Sequence, residues 1–506
     1  MSSRMPVPDA EATDLVEALR DDLVVADYTV EHVAELLGPG ASTALHREQP
    51  LPARRALAGS DDPVATMVRF FTLGETHTLD ALDAAFPSLR AKGLERLGLA
   101  VPADSGLRSA VDLRPYGDEN SSWWLASDLS ELATGSVLAT DHVLGIGGAS
   151  TTLARWTPRR EVAAALDLGT GCGVQAVHLA GHVQHIVATD LATRALDFVR
   201  FNAALNRLPL EVLAGSMLEP VAGRRFDLVV SNPPFVITPR AEGMPGYEYR
   251  DGGAVGDGVI RDLVRSVGDH LEPGGIAQFL GNWEMREGHG FEQVWTEWLE
   301  GTGLDAWVVQ REVQDPFEYA ELWARDGGAG VNSPEYGAMY AAWLDDFAAR
   351  GVESIGFGIV TLQRPESERD PFVDLMDERG PVASAMGPTI DAGLRARSWL
   401  AQTSDDDLLD GTWQAAPDVT EERHTKPGAD DPSVIMIRQG GGLGLSIQAD
   451  TVLAAFLSVC DGSMSARTAL VAIASLVGVP DDEVIAGTLP LLRRLIANGM
   501  LERVEG

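Results

Sequence analysis

Apolar positions along the chain change period twice, and the changes divide it into three parts. Up to about residue 130 they recur every three to four residues, predicting helices over 10–23, 29–37, 64–73, 79–86 and 89–97, with Thr29 opening the second. Short apolar runs ending near Leu113 and at Trp123-Trp124-Leu125 read as strands of a hairpin. Helices followed by a hairpin outline a winged-helix-like module, or an ordinary cap over a substrate. From about residue 160 apolar strands alternate with amphipathic helices. Strands are expected at 163–168, 186–190, 211–213, 226–231, 276–281, 304–310 and 356–362, with helices at 174–180 and 192–206 between the first of them. That alternation predicts an α/β fold, a doubly wound seven-stranded parallel sheet covered on both faces. An insert rich in Trp, Tyr and Phe occupies 315–350. Residues 365–440 read as irregular, with loops at 427–432 and 440–444. Three more helices follow at 449–460, 465–477 and 481–498, a second winged-helix-like unit. The expected division is 1–130, 131–365 and 366–506.

At 506 residues with 45% hydrophobic content, several cores can be buried. No apolar run is long enough to span a membrane, and the N-terminus lacks the apolar core of a secretory signal. Two distant cysteines, Cys172 and Cys460, fit reduced thiols in a cytoplasmic protein and exclude a cysteine-built zinc site. A formal net charge of −36 opposes non-specific binding to phosphate backbones, and the first 130 residues are themselves net acidic. Lysine occurs only at 92 and 426, so arginine carries the positive charge.

Where the first strand of the sheet should meet its first helix stands Leu166-Asp167-Leu168-Gly169-Thr170-Gly171-Cys172-Gly173-Val174. Glycines at 169, 171 and 173 permit a tight turn and close approach of a ligand to the backbone. A dinucleotide fingerprint would need Gly or Ala at 174, and Val174 stands there. Asp190, followed by Leu191, closes the second strand, where a carboxylate can accept from both hydroxyls of a ribose. The alternative is a glycine turn in an unrelated sheet with Asp190 capping a helix. The Gly-x-Gly-x-Gly spacing after Asp167 resembles the first motif of class I methyltransferases, which implies S-adenosyl-L-methionine as cofactor. That resemblance predicts an acidic residue after the third strand to meet the adenine amine. Ser216 occupies the position, with Met217 beside it as a packing surface for the ring.

The fourth strand runs into Asn232-Pro233-Pro234-Phe235. Two prolines fix φ and remove two donors, leaving carbonyls free to accept. The Asn232 side-chain oxygen and the Pro233 carbonyl can receive both hydrogens of an NH₂ group, while Phe235 offers a face to a planar amide or base. Amide and aryl nitrogens are poor nucleophiles, and hydrogen bonds that tighten as the nitrogen becomes tetrahedral stabilise the transition state selectively. A proline-terminated strand without chemistry is the alternative. Asn-Pro-Pro-Phe-Val-Ile-Thr-Pro, with Asp251-Gly252-Gly253 and Gly256-Asp257-Gly258, resembles HemK-type enzymes that methylate release-factor glutamine. Leu271-Glu-Pro-Gly-Gly-Ile and Gly281-Asn282 also resemble the related small methyltransferases acting on guanine in ribosomal RNA. The likeness covers roughly 140–310 and implies catalytic roles for Asn232, Pro233 and Phe235. It implies cofactor contacts from Asp167, Gly169, Thr170, Gly171, Gly173, Asp190, Leu191, Ser216, Met217 and Asn232.

The expected function is therefore methyl transfer to a planar nitrogen of a protein glutamine or RNA base, the negative charge favouring protein. A small-metabolite acceptor and a non-catalytic cofactor sensor that binds DNA are alternatives; the intact tetrapeptide and the lack of a basic recognition helix oppose the second. Residues 141–152 are expected to form a lid, with Thr151 or Thr152 near the methionine end of the cofactor. His178, His182 and His185 are expected at the surface with no metal role. The tryptophans at 295, 298, 307, 323 and 343 are expected in cores, and Asp405–Asp407 in a solvated loop.

Overall fold

The computed structural model describes residues 5–135, 138–240, 250–326, 333–383 and 385–504; residues 1–4, and 327–332 within the aromatic insert, lie outside them. Two compact units emerge, one of Met1–Ala154, Glu161–Glu300 and Val313–Phe357, the other of Arg155–Arg160, Gly301–Glu312 and Gly358–Gly506.

The first unit opens with helices Thr13–Val25 and Val30–Leu45; the Thr29 hydroxyl accepts from the His32 N–H at 3.2 Å. The second runs past its predicted end, but Gly38 at φ +69° ahead of Pro39 breaks its regular geometry. Helices Pro63–Met67, Leu79–Ala85 and Arg90–Arg96 follow, then two antiparallel hairpins, β1 (Ala100–Ala103) with β2 (Gly106–Ser109) and β3 (Asp112–Gly117) with β4 (Ser122–Ser127). Phe70, Phe71, Phe86, Leu94 and Leu113 bury completely in a core that continues without a break into Val174, Phe198, Phe201 and Leu205.

Those last residues belong to helices α1 (Val174–Leu179) and α2 (Thr193–Asn206), which cover a mainly parallel sheet. Its strands are β5 (Val162–Leu168), β6 (Val183–Asp190), β7 (Glu211–Ala214), β8 (Phe226–Ser231), β9 (Leu271–Arg286), β10 (Asp305–Gln314), β11 (Val352–Gln363) and β12 (Val373–Asp377). The spatial order is β12-β10-β11-β9-β8-β5-β6-β7, the doubly wound arrangement expected. β12 adds an eighth strand, pairing in parallel with β10 (Val308 opposite Leu375). It lies in the span expected to be irregular because acids alternate with its apolar residues on a half-exposed edge.

Further regular elements lie in that span, on either side of the expected loops at 427–432 and 440–444. Helix Gly387–Leu400 and the antiparallel strands Val419–His424, Val434–Gln439 and Ser446–Ala449 belong to the second unit. The Asp405–Asp407 run is no loop: Ser404 caps it as the first turn of helix Asp405–Asp410, where three carboxylates meet the positive end of the helix dipole. Arg397 anchors this unit. It is 4% exposed, lies 3.6 Å over the Trp307 ring, pairs with Asp374 at 2.6 Å, and donates to the Ala497 carbonyl and to Asn498 Oδ1 at 2.5 and 2.9 Å. Among the described residues, no helix is long and apolar enough to cross a membrane.

Candidate functional site

The order of strands reverses direction between β5 and β8: β6 and β7 extend one way, β9 the other. In open parallel sheets the crevice beyond the carboxyl ends of such neighbouring strands is where ligands bind. Both sequence motifs open into it. The glycine loop leaves β5, Asn232–Phe235 leaves β8, and Leu168 stands opposite Ser231 in register, joined by the Ser231 hydroxyl donating to the Leu168 carbonyl at 2.7 Å.

The loop is fixed by its neighbours. Gly169 and Thr170 N–H both donate to the Thr189 carbonyl at 2.9 Å. Gly171 N–H donates to Asp190 Oδ2, and Ala192 N–H to Oδ1, each at 2.9 Å. Gly169, Gly171 and Gly173 take φ of +70°, +56° and +94°, which L side chains rarely adopt. A Cβ at 169 or 171 would meet nothing within 4 Å, whereas one at 173 would meet Val199 Cγ2 at 2.8 Å. The first two glycines thus border open space, and the third lets α2 pack against the loop.

Asp167 lies fully buried at the end of β5. Its Oδ2 accepts from the Thr170 hydroxyl at 2.6 Å and from Ala176 N–H at 3.0 Å, while Oδ1 is buried with no partner. Burial pushes this carboxyl up to about 7, against the pull of both donors; the nearby Asp190 charge adds to the rise. Burial raises Asp190 as well, against donation from Gly171, Ala192 and Leu191. Leu191 is 69% exposed, and Met217, beside Ser216, stands at φ +46°.

Beyond β8 the tetrapeptide meets other parts of the first unit. Asn232 Oδ1 is buried with its accepting capacity unused. Phe235 bridges Asp251, and Val236 N–H donates to the Arg250 carbonyl at 3.1 Å. Both backbone groups of Ile237 are claimed by the aromatic insert, which folds as helices α3 (Pro316–Asp326) and α4 (Pro334–Arg350). The Tyr319 phenol accepts from Ile237 N–H at 2.8 Å, and Trp343 Nε1 donates to the Ile237 carbonyl at 2.7 Å. Asn282, at the carboxyl end of β9, also donates to the Tyr319 phenol at 2.8 Å. Tyr319 and Trp343 are wholly buried, and Phe235 packs against their cluster. Sequence reasoning placed the tryptophans in cores but missed this buttress, because its residues lie some eighty to a hundred positions from Ile237.

The histidine expectation needs one correction. His178 is buried, its Nε2 2.7 Å from the Tyr116 hydroxyl and its Nδ1 3.3 Å from Asp118, whereas His185 is exposed beside Glu211. A helical period alone could not reveal that hairpin β3–β4 covers that face. Among the described residues no group of three metal-ligating side chains converges. In the expected lid, helix Gly148–Trp156 directs its Thr151 hydroxyl back to the Gly147 and Gly148 carbonyls, and Gln175 Nε2 donates to the Ser150 carbonyl at 2.9 Å.

A reversal point framed by a glycine loop and a proline-locked strand end gives the central stretch the fold of class I methyltransferases. More narrowly, residues 144–297 match the model of the methyltransferase small domain family. Residues 25–110 and 391–503 match two domains of unknown function, DUF7059 and DUF7782. Among curated relatives, a release factor glutamine methyltransferase of Geobacter sulfurreducens is 36% identical over 122 residues, 22% of this chain and 43% of its own. A ribosomal protein uL3 glutamine methyltransferase of Bradyrhizobium diazoefficiens is 29% identical over 175 residues, 32% of this chain and 54% of its own. A ribosomal RNA small subunit methyltransferase C of Salmonella newport is 29% identical over 164 residues, 32% of this chain and 43% of its own. The chain thus spans about half the length, or less, of these relatives.

The residues present suit the cofactor of that class. Two glycines border open space, a buried oxygen of Asp167 meets no donor, and Asp190 retains accepting capacity beyond its backbone contacts with Gly171, Ala192 and Leu191.

Proposed function

We propose that the chain is an N-methyltransferase that takes the methyl group of S-adenosylmethionine and places it on a planar nitrogen of a macromolecule, a protein glutamine ahead of an RNA base. The observation that carries this is Asn232 Oδ1, a buried acceptor left unused beside two prolines that supply no N–H. Asp167 and Asp190, with the backbone at Gly169–Gly173, would hold the cofactor, aided by Ser216, Met217 and Leu191. When bound, it supplies a sulfonium-activated methyl, so no strong general base is needed.

The chain's own residues then have distinct tasks. Asn232 Oδ1 and the Pro233 carbonyl orient the acceptor NH₂ and favour its pyramidal form as the new bond develops. Phe235 holds the planar group by stacking, and alignment of nitrogen with methyl and sulfur supplies much of the remaining acceleration. The net charge of −36 supports a protein acceptor, since an acidic field repels phosphate backbones. The free thiols of Cys172 and Cys460 suit a reducing cytoplasm. The division into 1–130, 131–365 and 366–506 belongs to the same proposal, with the flanking parts selecting a bulky acceptor.

The test is transfer of radiolabelled methyl into fractionated lysate, followed by protease or nuclease digestion. Label released by protease alone is expected, and Asn232→Ala should lose transfer far more than it loses cofactor affinity. An active Asn232→Ala chain would defeat the mechanism. Label in a small-molecule fraction that survives both digestions would defeat the macromolecular acceptor.

A further inference from the structure

Helix α2 carries two asparagines one turn apart, and both are spent on a strand of the N-terminal segment. Asn202 Oδ1 accepts from Ala126 N–H at 2.8 Å, and its Nδ2 donates to the Ala126 carbonyl at 2.9 Å. Asn206 does the same with Trp124: Oδ1 accepts from its N–H at 3.0 Å and Nδ2 donates to its carbonyl at 2.7 Å. The geometry follows from two periods. Four residues of helix rise about 6 Å, and two residues of strand about 6.7 Å. Carboxamides at i and i+4 can therefore pair with alternate residues of β4, as a neighbouring strand would.

The two asparagines differ in burial and in where the third bond goes: half-buried Asn206 also donates from Nδ2 to the Asn202 backbone carbonyl at 2.8 Å, within the helix. Asn202 Nδ2 also donates to the Cys172 carbonyl, at 2.7 Å, inside the glycine loop. Asn202 is 1% exposed, so these three bonds form away from water, where an unmet partner is costly. A second link is independent of it. His178 on α1, the helix that begins directly after the loop, contacts Tyr116 and Asp118 of hairpin β3–β4. Cys172, Val174 and Val177 share one continuous core with Val111, Leu113, Trp123 and Leu125. The glycine loop is thus braced from the N-terminal segment at its middle and at its exit.

We propose that Asn202 is a positioning residue for the cofactor, through which hairpin β3–β4 sets the shape of the glycine loop. The N-terminal segment is on this account part of the cofactor site, and anything that displaces the hairpin lowers cofactor affinity. By linkage, cofactor binding must stabilise the hairpin by the same factor. This rests on the glycine loop being the cofactor site, as proposed above.

The experiment uses the full chain with S-adenosylhomocysteine as probe. Calorimetry should show affinity about tenfold weaker in Asn202→Ala, the equivalent of one buried hydrogen bond. Asn206→Ala loses the same kind of strand contact without touching the loop, and should stay within about twofold of wild type. Equal affinities in Asn202→Ala and wild type would overturn the proposal, as would equal losses in the two variants, which would mark a merely structural role. If Asn202→Ala fails to fold, hydrogen exchange on the wild-type chain decides the matter. Saturating probe should slow exchange of the amides at 122–127, and unchanged exchange there would overturn it. A wild-type chain that does not bind the probe at all would instead defeat the cofactor assignment, and this inference with it.

Discussion

An acid whose free oxygen is sealed from water and from any donor either keeps its proton or meets a cation. Asp167, with its carboxyl pushed up to about 7 by burial, is such an acid. Because the folded value lies above the unfolded one, Asp167 contributes stability that is full below about pH 4 and is lost as pH rises through about 7. A cationic amino group seated against Oδ1 reverses that preference. S-adenosylhomocysteine affinity should therefore be about tenfold weaker at pH 6 than at pH 8, following the ionised fraction, and Asp167→Asn should flatten the profile. Calorimetry at the two pH values checks both. The glycines make a paired prediction at the same scale. Gly169→Ala carries backbone strain of about 1 kcal/mol and directs its methyl into open space, so its main loss should be in cofactor affinity. Gly173→Ala adds a collision with Val199 and should show chiefly as a lower melting temperature. The loop and Asn232–Phe235 were legible in the sequence because each motif is local, a few residues whose backbone needs leave a compositional mark. Asn202 was not, since an asparagine inside a helix gives no sign of whether it meets water or a distant strand.

Elements were legible in proportion to how strongly one face is buried. Strand β8 begins and ends where its apolar run does, whereas β12, a half-exposed edge strand with alternating acids, passed for loop. The same physics hid the link between the insert and the acceptor loop. Tyr319 and Trp343 look like ordinary core aromatics until Ile237 is seen between them. Tyr319→Phe should retain its stacking against Phe357 but strand the Ile237 N–H and the Asn282 amide, at a cost of about 1–3 kcal/mol. Expected outcomes are a lower melting temperature and a reduced kcat, with S-adenosylhomocysteine affinity unchanged. In the second unit, Arg397→Ala removes at once the partner of Asp374 and the donors to the Ala497 carbonyl and the Asn498 side-chain oxygen. A loss of about 3–5 kcal/mol is expected, read as faster hydrogen exchange in helix Gly387–Leu400.

For the molecule as a whole, charge is the property most fully visible from sequence, and it makes its own prediction. Nucleic-acid binders lose affinity as salt rises, because bound counterions are released. A chain of net charge −36 should show weak association with ribosomal RNA that is flat or improves between 50 and 300 mM salt, measured by filter binding. A steep negative dependence would reveal a local basic groove and favour an RNA acceptor.

The pairing of Asn202 and Asn206 with alternate residues of β4 has a consequence for how this chain can vary. Side chains of a strand alternate between faces, so a slip of one residue in β4 would break both carboxamide pairs and turn Trp123 and Leu125 outward together. The turn at 118–121 is tied to α1 through Asp118 and His178, and strand β4 has a single permitted alignment on α2. A transplanted N-terminal segment would therefore be accepted only if it arrives with both a strand in that alignment and a helix bearing the two asparagines. The modules on either side of that seam can be inherited or engineered only as a matched pair.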